Sequence, residues 1–251
     1  MILVSVSYAS TTTMELKIYN DKQAVARQFS KDFSAWAKER KTSHVALSGG
    51  STPKLIFDVL AEGYGDTIDW SSIHFYWGDE RCVPPTDEQS NYKMTVDHLL
   101  SKINIPSDNI HRILGEGDPY LEAKRYASLL ENKLPMVDGV PRFDLVLLGM
   151  GDDGHTASIF PHEIDLWNSN DHCVVATHPD TCQQRVSING RIINHAEHVA
   201  FLVTGSNKAE KVMKIHGKKN DQIDYPAALV KPESGNLTWY MDDAAAALLE
   251  G

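Results

Sequence analysis

The chain of 251 residues carries only three cysteines, Cys82, Cys173 and Cys182, an odd number with no C-x-x-C pair among them. A disulfide-stapled secreted scaffold and a structural zinc site would both look different. No apolar run approaches the roughly 18 residues of a membrane span. The opening MILVSVSYASTTT lacks the basic start of a secretory signal, so a cytoplasmic, reducing setting is expected. Basic residues are scarce, 24 against 34 acidic, for a net charge of −10. Nucleic acids and anionic membranes call for a dense basic surface, so neither is an expected partner. The histidines show no H-E-x-x-H and no other zinc spacing, so no metal and no cofactor are expected. The G-x-S-x-G turn that exposes a serine nucleophile is missing too.

What is present reads as an ordinary globular chain, 42% hydrophobic and 23% charged. Val25, Phe29, Phe33 and Trp36 recur at helical spacing and predict a helix over 21–40. HVALS (44–48) and IHFYW (73–77) predict buried strands, with a helix from Pro53 between them. A helix over 90–103 and another from Asp118-Pro119 to about Leu134 come next. FDLVLLGMG (143–151) is the most apolar strand; HCVVAT (172–177), HVAFLVT (198–204) and LTWYM (237–241) are further ones. Ser206 is expected to cap a helix NKAEKVMKI, and DDAAAALL to close the chain as a helix. Strands apolar on both faces, alternating with helices, predict an α/β fold: a doubly wound, mostly parallel sheet with helices on both faces. One domain over 14–251 is expected, after a lead-in at 1–13.

In such folds ligands sit beyond the C-terminal ends of the strands, and four strand ends carry suggestive loops. Ser48-Gly49-Gly50-Ser51-Thr52 is a glycine turn into a helix, suited to a phosphate or simply a tight turn with a serine cap. Asp79, Glu80 and Arg81 follow a strand directly; Arg81 could bind an anion or pair with a neighbouring acid, and Asp79 could orient a partner. Gly149, Gly151 and Gly154 spell G-x-G-x-x-G, but Asp152 and Asp153 lie where a pyrophosphate would approach, a repulsion of roughly several kcal/mol in a poorly solvated site. The glycines are better read as clearing space around His155, whose imidazole a nearby carboxylate can hold in one tautomer for acid/base work. Whether Asp152 or Asp153 does so is open. Lys208 falls in the first turn of its predicted helix, where a cation is disfavoured and an anionic ligand would resolve the conflict. Arg185 could be a second cation for it.

Taken together, LSGGSTP, WGDERCVP…SNY and GMGDDGHTASIFP resemble the 6-phosphogluconolactonase family, hydrolases of the oxidative pentose phosphate pathway, in the same order and over about residues 20–245. The resemblance implies a fold like that of NagB and the ribose-phosphate isomerases, a group that includes the glucosamine-6-phosphate deaminases. It implies that His155 is the general base and Asp153 its electrostatic partner, with Ser48 through Thr52, Arg185 and Lys208 around a substrate phosphate and Arg81 facing the sugar or its phosphate. The expected partner is a phosphorylated sugar lactone, and a monomer is favoured. His162 stands where the family often has glycine, and HPDTCQQRVS lacks the paired prolines common before the arginine. The deaminases follow D-G-H with an F-N-E-P-like segment whose glutamate assists ring opening; Ser158, Ile159 and Phe160 stand there instead, which favours the lactonase. A sensor with the pocket but no catalysis is the non-enzyme alternative, and an intact Asp153–His155 argues against it.

Overall fold

The structure, a computed structural model, describes residues 2–7, 13–217 and 225–249. Eight strands form the main sheet, in the spatial order β1 (Ile2–Ser7), β2 (Thr13–Tyr19), β13 (Asn236–Asp242), β12 (His198–Val203), β9 (Leu145–Leu148), β3 (Ser43–Leu47), β4 (Ile73–Trp77) and β6 (Ile110–His111). Every neighbouring pair is parallel except β1 with β2. Three short strands make a second, antiparallel sheet in the order β10 (Cys173–Thr177), β11 (Gln184–Ile188), β5 (Asp79–Arg81). A small ribbon pairs β7 (Met136–Val137) with β8 (Val140–Pro141).

The helices start where side-chain acceptors meet free backbone donors. Helix α1 (Lys22–Lys38) is capped by Asp21, which accepts from Ala24 N at 2.7 Å, and it buries Val25, Ala26, Phe29, Phe33 and Ala37 along one stripe. Helix α2 (Ser51–Tyr64) begins two residues before Pro53, whose missing N–H still falls in the unpaired first turn. Ser90 caps α3 (Asn91–His98), shorter than the expected 90–103 because a separate 3₁₀ turn follows at Leu100–Lys102. Asp118 caps α4 (Pro119–Lys133) with Pro119 opening it. Helices α5 (Gly190–His195), α6 (Ala209–His216) and α7 (Asp243–Ala246) complete the set among the described residues.

The chain runs β3, β4, β6 toward one edge, then returns to β9 beside β3 and continues through β12 to β13. With right-handed crossovers the two directions place helices on opposite faces, and α1, α2 and α3 pack side by side in sequence. The winding therefore reverses between β3 and β9, where ligands of open α/β sheets bind. The strands there are buried as expected: all four residues of β9, and all of β3 but His44.

Three differences from the sequence expectations have local causes. Ile2–Ser7 pairs along β2, inside the stretch expected to be a lead-in; Thr11 and Thr12 of that stretch lie outside the described residues. β2 went unforeseen because Glu15 and Lys17 flank buried Leu16, an alternating pattern with a weak apolar signal. Ser206 caps nothing: Gly205 turns at φ +100°, its N–H donates to both Asp242 carboxylate oxygens (2.9 and 3.1 Å), and Ser206–Lys208 form a 3₁₀ turn ahead of α6.

Candidate active site

At the end of β3 the backbone turns at Gly50, φ +107°, and enters α2 with no side-chain cap. The first-turn N–H groups stay available for an anion. A Cβ on Gly49 would lie 1.9 Å from Asn91 Oδ1, so only glycine fits against that side chain. Thr52 Oγ1 lies 2.8 Å from Thr204 Oγ1, which ties this loop to the end of β12.

Beyond β4 the chain passes Gly78 into β5, whose three residues serve three ends. Asp79 is buried and its Oδ2 accepts from Ser158 Oγ at 2.5 Å, while Asn91 Nδ2 donates to its Oδ1 at 3.3 Å. Buried Glu80 accepts from Ser90 Oγ and the N–H groups of Arg81, Asn91 and Tyr92, all within 2.9 Å, and so anchors the start of α3. Burial pushes its carboxyl above the usual range against those four bonds. Arg81 reaches the Gln89 carbonyl at 2.5 Å rather than a neighbouring acid.

β5 lies beside β11 so that Arg81 stands directly opposite Arg185. Like charges facing each other across strands are unfavourable, and each guanidinium has its Nε buried without a partner among the described residues. Arg185 is 9% exposed and packs over the Phe160 ring, 5.4 Å from its centroid. Burial presses its guanidinium below the ordinary arginine range, Asp79 opposes that and Arg81 adds to it. Two guanidinium groups with buried, unpartnered Nε donors and no ion pair among the described residues are an arrangement that can receive an anion.

At the end of β9, Asp153 Oδ1 lies 2.6 Å from His155 Nδ1 and also accepts from His155 N at 3.0 Å. Burial works to raise the Asp153 carboxyl, but its bonds to His155 and the His155 charge outweigh this and hold it down at about 2. An ionised carboxylate at that distance fixes the proton on Nδ1 and leaves Nε2 as the acceptor. The ring packs against Phe160 with centroids 4.6 Å apart. A Cβ on Gly151 would lie 2.1 Å from His155 Nδ1, so this glycine does clear room for the pair; Gly154 turns at φ +88° and lies instead against the Tyr225 ring, 2.7 Å from where its Cβ would be. Gly149 faces open space and clears no such room. No helix follows Gly154, as a dinucleotide turn would require. Ala157 adopts φ +48°, and the next residue reaches Asp79.

At the end of β12, Lys208 pairs with Asp152, whose Oδ1 also accepts from Asn207 Nδ2 at 2.7 Å. The cation at the start of α6 thus finds its counter-charge inside the protein. Asp152 and Asp153 have separate duties, and Asp153 is the one on His155.

These loops enclose a cleft of about 170 Å³ between β3 and β9, lined by Ser48, Gly49, Gly50, Asp79, Arg81, Arg185 and His155 together with Asn91, Met150 and Ala157. Ser51, Thr52, Asp153 and Lys208, expected at the site, are not among the residues that line this cleft. Asn91, Ser158 and Thr204 were not expected among the site residues. Asn91 lay within the recognised SNY segment, but its contacts join loops far apart in the chain. Among the described residues no group of three or more histidine, cysteine, aspartate or glutamate side chains is placed to hold a metal, and no helix is long and apolar enough to cross a membrane.

Residues 20–239 match the family described as glucosamine-6-phosphate isomerases/6-phosphogluconolactonase. The chain is 43% identical over 222 residues to the 6-phosphogluconolactonase of Treponema pallidum, covering 88% of this chain and 92% of the relative. It is 42% identical over 228 residues to that of Haemophilus influenzae, covering 90% and 96%. The crystal structure titled "devB protein" superposes with a TM-score of 0.91 at 44% identity, covering 94% of this chain and all of the other.

Proposed function

The chain belongs to the glucosamine-6-phosphate isomerase/6-phosphogluconolactonase family, and from that premise we propose that it hydrolyses 6-phospho-D-glucono-1,5-lactone to 6-phospho-D-gluconate in the oxidative pentose phosphate pathway. The observation that carries this reading is His155, held on Nδ1 by an ionised Asp153 on the wall of a cleft that also contains Arg81 and Arg185.

The phosphate docks among the α2 N-terminus at Ser48–Thr52, Arg185 and Lys208, and Arg81 faces the sugar. This leaves the lactone carbonyl toward His155. Nε2 takes a proton from water as the oxygen attacks C1, and Asp153 stabilises the imidazolium that forms. Arg81 and loop N–H groups offset the negative charge on the tetrahedral oxygen. The imidazolium then returns its proton to the ring oxygen as the C1–O bond breaks. One acid/base group suffices, because the carbonyl is already electrophilic and the ring oxygen is the leaving group.

Deamination with isomerisation would need a second titrating group at the sugar. The acids nearest the cleft are already engaged: Asp79 by Ser158 and Asn91, and Glu80 by four donors at the start of α3. A cytoplasmic setting fits three cysteines that are all free. The test is acid release from freshly prepared lactone, measured against its spontaneous hydrolysis, beside ammonia release from glucosamine 6-phosphate. Lactone consumption well above background with no ammonia is expected. Ammonia at a rate rivalling lactone hydrolysis would reverse the assignment.

A further inference from the structure

Asp152 and Asp153 are neighbours in the chain and face different partners. Asp153 serves His155, whereas Asp152 joins the β9 loop to the β12 loop by accepting from Asn207 and Lys208 on one oxygen. The side chain of Lys208 is 18% exposed and that of Asp152 is 69% exposed. The carboxylate therefore lies on the solvent side of the ammonium, free to leave by rotating outward. Its hold on Lys208 relieves a cation at the start of α6.

We propose that Asp152 is a positioning residue that competes with the substrate phosphate for Lys208, and so sets affinity for phosphorylated ligands. The proposal rests on the reading of Lys208 as a phosphate contact. A single ammonium cannot hold a carboxylate and a phosphate dianion together without bringing the two anions within ~5 Å, where they repel. The phosphate prevails because it carries roughly twice the charge and also reaches the N–H groups at the start of α2, which Asp152 does not contact. Opening an exposed pair of this kind costs little. Binding is weakened by the fraction of molecules in which Lys208 is engaged. The carboxylate thus acts as a built-in substitute for the ligand's anion.

The experiment is steady-state kinetics of Asp152→Asn, Asp152→Glu, Lys208→Ala and the Asp152→Asn/Lys208→Ala double variant. Substrates are the phosphorylated lactone and unphosphorylated gluconolactone, with inorganic phosphate as inhibitor. Asp152→Asn is expected to lower KM for the phosphorylated lactone, and the inhibition constant of phosphate, by about two- to fivefold, the range of an exposed ion pair. The change falls on KM and not on kcat, is missing with gluconolactone, is missing when Lys208 is already alanine, and is undone by Asp152→Glu. If Lys208→Ala raises KM while Asp152→Asn leaves it level or raises it, the competition does not exist. If Lys208→Ala leaves KM for the phosphorylated lactone unchanged, the reading of Lys208 fails first and the proposal falls with it.

Discussion

Past the C-terminal end of β9 one imidazole, His155, faces a cleft; on β3, β4 and β6 three others, His44, His74 and His111, stand in a row across the sheet. The row is stacked, with centroids 5.2 Å apart for His44–His74 and 5.5 Å for His74–His111, and Tyr76 lies 4.5 Å from His111. One ring nitrogen of each is engaged inside the row: His74 Nδ1 lies 3.2 Å from His111 Nε2, and His44 Nδ1 lies 3.1 Å from the Tyr76 hydroxyl. Burial is the largest influence on all three and depresses each, His111 to about 4. His155 has a carboxylate on one nitrogen and the cleft on the other. Under the proposed mechanism the same side chain is chemistry at one place and packing at the other. The difference lies in which nitrogen is left over and in what sits against the first.

The sharpest way to break that comparison is His155→Ala. It should lower kcat by ~10²–10⁴, the worth of a positioned acid/base group, in stopped assays corrected for spontaneous hydrolysis. Turnover close to the parent's would remove His155 from the mechanism. Asp153→Asn comes next, with a loss of ~10²-fold as the imidazole loses its tautomer and its counter-charge. Should Asp152→Asn prove the more damaging of the two, the carboxylates are assigned in the wrong order.

A smaller effect belongs to the anion site. Arg185→Ala should raise KM for the phosphorylated lactone about 10- to 100-fold, for a charge-assisted contact of about 1.5–3 kcal/mol, and affect gluconolactone far less. Equal losses on both lactones would place Arg185 at the reacting carbonyl.

The smallest effects test the row. A folded-state value near 4 for His111, against about 6.5 unfolded, means the unfolded chain binds more protons between those values. The contribution is complete above about pH 6.5 and is lost as pH falls toward 4. Asp153, held at about 2, contributes above its unfolded value and loses that only as pH falls further, toward 2. Denaturant melts across pH 4–7 should therefore slope less in His111→Phe than in the parent, while kcat moves by less than about twofold, since its contacts lie within the row. An unchanged slope would mean that His111 titrates alike in both states.

Most of the architecture was legible because it is written in local patterns. The apolar strands and the stripe of Val25, Phe29 and Phe33 need no distant partner to be recognised. A carboxylate beside His155 was legible too, but which of Asp152 and Asp153 pairs with it was not, and the loop decides for Asp153. The second sheet was not legible in this way. Asp79–Arg81 is too short to show an alternation, and Gln184–Ile188 alternates only weakly, so nothing local announces that Arg81 will stand opposite Arg185. Nor does it announce that Ser158 will reach Asp79, 79 residues away. The burial of Arg185 was not legible for the same reason: it is a property of the pairing. Lys208 was flagged by a broken helix rule, but its partner Asp152 came from another loop.

The facing arginines also bear on heat. Two guanidinium groups set opposite each other by strand pairing repel, and a bound anion would offset that repulsion. A ligand present at a hundredfold its dissociation constant adds about 2.7 kcal/mol to the folded state, which for a chain of this size raises the melting temperature by roughly 5–10 °C. Melting temperature thus becomes a gauge of occupancy that needs no turnover. Phosphorylated sugars could be ranked by the warmth the protein withstands in their presence, including those it binds and never hydrolyses.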